Sequence, residues 1–167
     1  MTDLDRFLDA QKNEYKLALK EIKNGKKISC WMWYIFPQIK GLGKTYISNY
    51  YGIKDIEEAK EYLNNDLLRK RLIEISQALL ELEETDIKEV IGYLDDIKLQ
   101  SSMTLFNRAE ELSDIKCENI FKKVLKKYFN DKEDNKTLAI LEKQKLLKQN
   151  KNNNSGEGKR EDKVLFP

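Results

Sequence analysis

The sequence contains no histidine, and its 167 residues include only two cysteines and two prolines. Without histidine there is no Ser-His-Asp triad, no Cys-His pair and no His-ligated zinc. That leaves metal chemistry only a carboxylate site for Mg²⁺ or Ca²⁺, and no spaced ligand loop is visible. No metal is therefore expected, and no particular cofactor is indicated. Cys30 and Cys117 lie far apart, and the opening Met1-Thr2-Asp3-Leu4-Asp5 lacks a secretory signal's basic and apolar regions. Two such thiols read as reduced cysteines of a cytoplasmic protein. No apolar run reaches transmembrane length, so no membrane partner is expected. Charge of one sign is also missing: 31 Lys and Arg against 29 Asp and Glu give +2. That balance makes no electrostatic case for nucleic acid.

With prolines only at 37 and 167, and many Glu, Lys and Leu, the chain favours helices. The expected fold is all-α: one compact, monomeric, multi-helical domain over 1–147 with a polar low-complexity tail over 148–167. Leu4, Phe7, Leu8, Gln11, Tyr15, Ala18, Leu19 and Ile22 follow helical spacing, with Thr2 or Asp3 as cap and Gly25 as stop. Asp55-Ile56-Glu57-Glu58 reads as a helix start. Asn64-Asn65-Asp66 breaks and recaps before a long helix marked by Leu68, Leu72, Ile75 and Leu79. Thr85 is the expected cap of a short helix ending at Gly92, and Asp95 or Asp96 of the next one. Thr137–Leu147 is the last periodic segment. The Asn-rich run after Lys148 cannot bury enough surface to offset its ordering entropy, and reads as flexible.

The densest apolar stretch is Trp31-Met32-Trp33-Tyr34-Ile35-Phe36-Pro37-Gln38. Such a block sits in a core or lines a pocket. Periodicity leaves open whether it is a short strand or a short helix. Pro37 ends it, and leaves the polar Gln38 at the edge of an apolar cluster. A tryptophan N–H commonly meets a polar partner, so Trp31 or Trp33 can border a pocket. A second aromatic patch spans 46–51.

Lys40-Gly41-Leu42-Gly43-Lys44-Thr45 imitates a phosphate loop. Gln38, however, stands where the full pattern has its first glycine, and alternating strands are missing. A glycine turn followed by an exposed lysine is the better reading. In Asp95–Phe106 a helix would set Asp95, Lys98 and Ser102 on one face, beside an apolar stripe of Leu99, Met103 and Phe106. Ser101, Ser102 and Thr104 are mid-helix hydroxyls, which either bond locally or serve a ligand. The structural alternative pairs Lys98 with Asp95 and bonds the serines to preceding carbonyls. A sharper alternative makes Ser101 or Ser102 a nucleophile activated by Lys98.

The WMWYIFPQ block, the Gly41-Leu42-Gly43 turn and Lys98-Leu99-x-Ser101-Ser102-Met103-Thr104-Leu105-Phe106 together resemble the family catalogued as domain of unknown function 1810. The resemblance spans roughly 3–142, including Asp5-Arg6-Phe7, Tyr50-Tyr51-Gly52-Ile53 and Thr137-Leu138. It implies a compact, mainly helical single domain, and implies no established activity. Some members carry the label calpastatin. A calpastatin is a disordered calpain inhibitor, unlike a chain with a Trp-rich core and periodic helices.

The expected function is binding of a small polar or anionic metabolite, such as a nucleotide, in a pocket between the two motifs. Trp31, Trp33 and Phe36 would stack on the ligand, and Gln38, Lys98, Ser101, Ser102 and Thr104 would fix its polar groups. A histidine-free enzyme in the same pocket, using Asp95, Asp96 or Lys98, is one alternative. A protein-interaction module is the other.

Overall fold

A computed structural model describes residues 3–164, with side chains to 154. Its regular elements are helical: α1 (Asp5–Lys23), α2 (Met32–Ile35), α3 (Tyr46–Tyr50), α4 (Ile56–Asn64), α5 (Asp66–Glu81), α6 (Ile87–Ile91), α7 (Asp95–Glu111), α8 (Ile120–Phe129) and α9 (Asn135–Val164). The all-α expectation holds. Among the described residues the one extended pairing is an isolated parallel bridge between Ile39 and Ile53. None of their helices is long and apolar enough to cross a membrane.

Local chemistry explains most helix ends. Gly25, at φ 78°, closes α1. Its N–H donates to Ile22 O and that of Lys26 to Glu21 O, the paired bonds of a Schellman stop. Asp55 caps α4 by accepting from the Glu58 N–H at 2.9 Å, and Asn65 caps α5 by accepting from Leu68. Gly92, at φ 89°, stops α6.

Three expected caps are displaced. α1 starts after Leu4 without a side-chain cap; Thr2 lies outside the described residues. Asp86, not Thr85, caps α6. Neither Asp95 nor Asp96 caps α7, whose N-cap position is Leu94. Asp95 is instead drawn away by two lysines.

α7 is the axis of the domain. Eleven of its residues are buried, and it packs against α4, α6, α8 and α9. A helix buried on several faces belongs at the centre rather than on the rim. Phe106 of α7 lies 5.0 Å from the Tyr62 ring and 5.9 Å from that of Phe121. Phe7 of α1 meets Tyr62 edge-on at 5.3 Å, so one chain of rings ties α1, α4, α7 and α8 together. Arg6, itself buried, binds Glu58 at 2.7 Å and the carbonyls of Tyr50 and Gly52. It fastens α1 to the segment joining α3 and α4.

α9 continues past the predicted end at Leu147 to Val164. All residues from Lys145 to Asn154 are exposed. Residues 145–154 thus bury no side chain in the body, and packing supplies most helical stability in proteins. Residues 165–167 lie outside the described residues.

Candidate functional site

The aromatic block folds as one helical turn, α2, which settles the choice between strand and helix. Pro37 follows, and the chain then becomes extended. Ile53 N donates to Gln38 O at 2.8 Å, and Lys40 N donates to Ile53 O at 2.7 Å. Close pairing needs a glycine here: a Cβ on Gly52 would lie 2.8–2.9 Å from Lys40. The pairing fixes the backbone of Gln38, which lines a cleft together with Trp33, Leu42, Gly43, Ser48 and Tyr51.

The cleft measures about 10 Å³, room for about one water-sized group. Gln38 is 9% exposed, and its Nε2 is buried with no hydrogen-bond partner. An unmet buried donor costs roughly 1–3 kcal/mol, so this amide is poised for an acceptor.

Trp33 is half-buried. The Lys98 ammonium stands 4.4 Å from its ring centroid, within cation–π range. Asp95 holds that ammonium, with Oδ1 3.1 Å from Lys98 Nζ and Oδ2 2.9 Å from Lys27 Nζ. Lys27 in turn lies 5.1 Å from the Trp31 ring. Two ammoniums thus share one carboxylate beside two indoles, and the Glu21 carboxylate bonded to the Trp31 N–H balances the second charge. Leu94, just before Asp95, adopts φ 79°, a conformation costly for a side chain with a Cβ. This turn delivers Asp95 between the lysines.

The remaining predicted residues divide by surroundings. Trp31 and Phe36 are fully enclosed, with rings 6.2 Å apart. The Trp31 N–H donates to Glu21 Oε1 at 3.0 Å, which supplies the polar partner its indole needs. Glu21 also accepts from the N–H groups of Ile28 and Ser29 and from the Ser29 hydroxyl. Burial alone would raise its pKa; the four hydrogen bonds outweigh it and hold the carboxyl at about 2.

Ser101 and Thr104 are buried and serve the start of α9. Ser101 Oγ donates to Ile97 O and to Asp134 Oδ2. Thr104 Oγ1 donates to Gln100 O and accepts from the Asp134 N–H. Asp134 caps α9 by accepting from the N–H and hydroxyl of Thr137. Gln100 and Arg108 complete this latch through Lys132 O and Glu133. Ser102 is fully buried and its hydroxyl is unpartnered. Lys98 bonds Asp95 rather than either serine, so the Ser–Lys nucleophile arrangement is not formed.

Gln38 and Trp33 thus line one cleft, Lys98 stands over the Trp33 ring without lining that cleft, and Ser101 and Thr104 serve the start of α9. Sequence reading missed Tyr51 and Ser48 as cleft walls, and Glu21 and Asp134 as organisers. A local signal existed for Asp134, since Asp-x-x-Thr is a cap spacing. Glu21 had none. The glycine turn at 41–43 leads to Thr45, which caps α3 by accepting from Ser48 N; this is no phosphate cradle. A larger surface groove of about 940 Å³ lies where α9 leaves the body, lined by Ile56, Leu112, Leu141 and Leu147 between solvated charges. Among the described residues no three His, Cys, Asp or Glu cluster to hold a metal.

No curated protein matches the sequence. The fold is similar to the crystal structure of the conserved hypothetical protein Rv1873 from Mycobacterium tuberculosis. That protein is 41% identical, with a TM-score of 0.78 over 83% of this chain and 96% of that one. The family model for proteins of unknown function DUF1810 matches residues 1–141, and so takes in both motifs, the cleft and the α9 latch. A match of that extent, ending just where α9 leaves the body, shows that the chain belongs to the DUF1810 family of proteins of unknown function.

Proposed function

We propose that the protein is a monomeric cytosolic domain that binds a small polar or anionic metabolite at the cleft between Gln38 and Trp33. One observation carries the reading: the Gln38 Nε2 donor is buried beside a cleft and has no acceptor. The cleft admits one acceptor atom, so the body of the ligand lies outside it, over the half-buried faces of Trp33 and Tyr51. Lys98, positioned by Asp95 over Trp33, supplies positive charge. Gln38, Trp33 and Lys98 form the contact set. Trp31 and Phe36 are enclosed in the core, and Ser101 and Thr104 hold α7 against α9.

The test is a thermal-shift screen of carboxylates, sugar phosphates and nucleotides on wild type, Gln38→Ala and Lys98→Ala. A ligand at a hundred times its Kd stabilises the native state by about 2.7 kcal/mol. Stabilisation of the wild type that is lost in Gln38→Ala supports the site. Equal shifts in all three proteins remove Gln38 and Lys98 from it. Light scattering on the same samples checks the monomer.

A further inference from the structure

We propose that the ligand joins a planar ring to an anionic head, as a nucleotide does, and that its ring stacks on a row of tyrosines leading out of the cleft. This rests on the Gln38 reading and names the ligand's class. Tyr46 is 83% exposed and Tyr50 45%. They stand four residues apart on α3, with rings 6.1 Å apart and nearly parallel at 17°. Tyr50 meets Tyr51 edge-on at 4.8 Å, and Tyr51 is itself a wall of the Gln38 cleft. Ring contacts therefore run from the exposed Tyr46 to Tyr51, which lines the same cleft as Gln38.

An aromatic ring as exposed as Tyr46 contributes little to the core, yet it is held in place. Thr45 caps α3, and the Ser48 hydroxyl donates to Thr45 O. A Cβ on Gly43 would lie 2.8 Å from Ser48 Oγ. The loop that walls the cleft is thus packed directly against the helix that carries the tyrosines. Row and cleft wall are fixed to each other by packing, which is what positioning of a two-part ligand requires. Exposed Lys40 and Lys44 flank the same loop and add positive charge near the place for the head. A flat ring finds the open face of Tyr46, and stacking of this kind is tolerant of which ring it is.

The experiment is isothermal titration of the full chain with AMP, ribose 5-phosphate and adenosine. It uses wild type, Tyr46→Ala, Tyr46→Phe and Gln38→Ala, each first checked by circular dichroism. AMP should bind more tightly than either fragment. Tyr46→Ala should weaken AMP about tenfold or more while leaving ribose 5-phosphate unchanged, and Tyr46→Phe should match the wild type. Gln38→Ala should weaken both phosphates. If AMP binds no better than ribose 5-phosphate and Tyr46→Ala changes neither, the ring assignment is overturned; Gln38-dependent binding of ribose 5-phosphate would then leave the cleft reading standing. If AMP depends on Tyr46 but not on Gln38, the row and the cleft are separate and the joint site is overturned. If none of the three binds at millimolar concentration, the ring-plus-anion class is overturned, and a Gln38-dependent hit from the wider screen would still uphold the cleft.

Discussion

Replacing Glu21 with glutamine tests how the aromatic block is anchored. The Glu21 carboxylate is 5% exposed and accepts from two backbone N–H groups, the Ser29 hydroxyl and the Trp31 indole. Burial opposes its charge, but these donors prevail and lower its pKa from 4.5 to about 2 on folding. A group with a depressed native pKa adds stability that is complete above its unfolded pKa and is lost as pH falls through the folded one. Here that window runs from about pH 5 down to about pH 2. The shift corresponds to about 3 kcal/mol at pH 7 and to about 1.4 kcal/mol remaining at pH 3. Glutamine keeps the shape but lacks the charge, and it turns one acceptor into a donor facing donors. Urea unfolding of both proteins at pH 7 should show Glu21→Gln less stable by about 2–3 kcal/mol. At pH 3 the gap between them should shrink to about half of that. Because other carboxylates titrate equally in both proteins, the change in gap isolates Glu21. A cost below about 1 kcal/mol at pH 7, or a gap independent of pH, would refute the anchoring role.

Arg6→Ala leaves the buried Glu58 carboxylate without its counter-charge and should cost about 3–5 kcal/mol in the same assay; a loss near zero would mean the pair is hydrated. Ser101→Ala and Asp134→Ala should each destabilise by about 1–2 kcal/mol through the α9 latch, without altering the affinity of any ligand that depends on Gln38. A selective loss of binding in Ser101→Ala would return that hydroxyl to the site. The exposed stretch 148–154 of α9 should exchange its amide hydrogens within the dead time of the experiment, and ending the chain at Leu147 should change stability by under about 0.5 kcal/mol. Protection of 148–154 would show a packing partner for that segment.

Much of the fold was legible because its signals are local. Gly25, Asp55, Asn65 and Gly92 act on groups within a turn of themselves, where spacing alone names the partner. The apolar stripes named the buried faces for the same reason. The misplaced cap of α7 shows where this stops. Asp95 has the chemistry of a cap, but Lys27, 68 positions away in sequence, binds it in the folded chain. Glu21 and Arg6 read as ordinary charges on a helix until the loops they bind are brought beside them. The proposed site was half legible. Gln38 stood out because a proline and an apolar block precede it, and Lys98 because hydroxyls follow. The hydroxyls of Ser101 and Thr104 looked equally functional, and only the position of Asp134 shows that they hold α9.

The central claim is that Gln38 awaits an acceptor supplied by a ligand. The most direct measurement is a ¹⁵N-edited NMR titration that follows the Gln38 side-chain NH₂ and the Trp33 indole N–H. Any compound that stabilises the protein in the thermal screen should move both signals with one saturation curve, and should leave the Trp31 indole, bonded to Glu21, nearly unmoved. Stabilising compounds that leave Gln38 and Trp33 unchanged, and instead shift residues lining the groove at Leu112, Leu141 and Leu147, would contradict the claim.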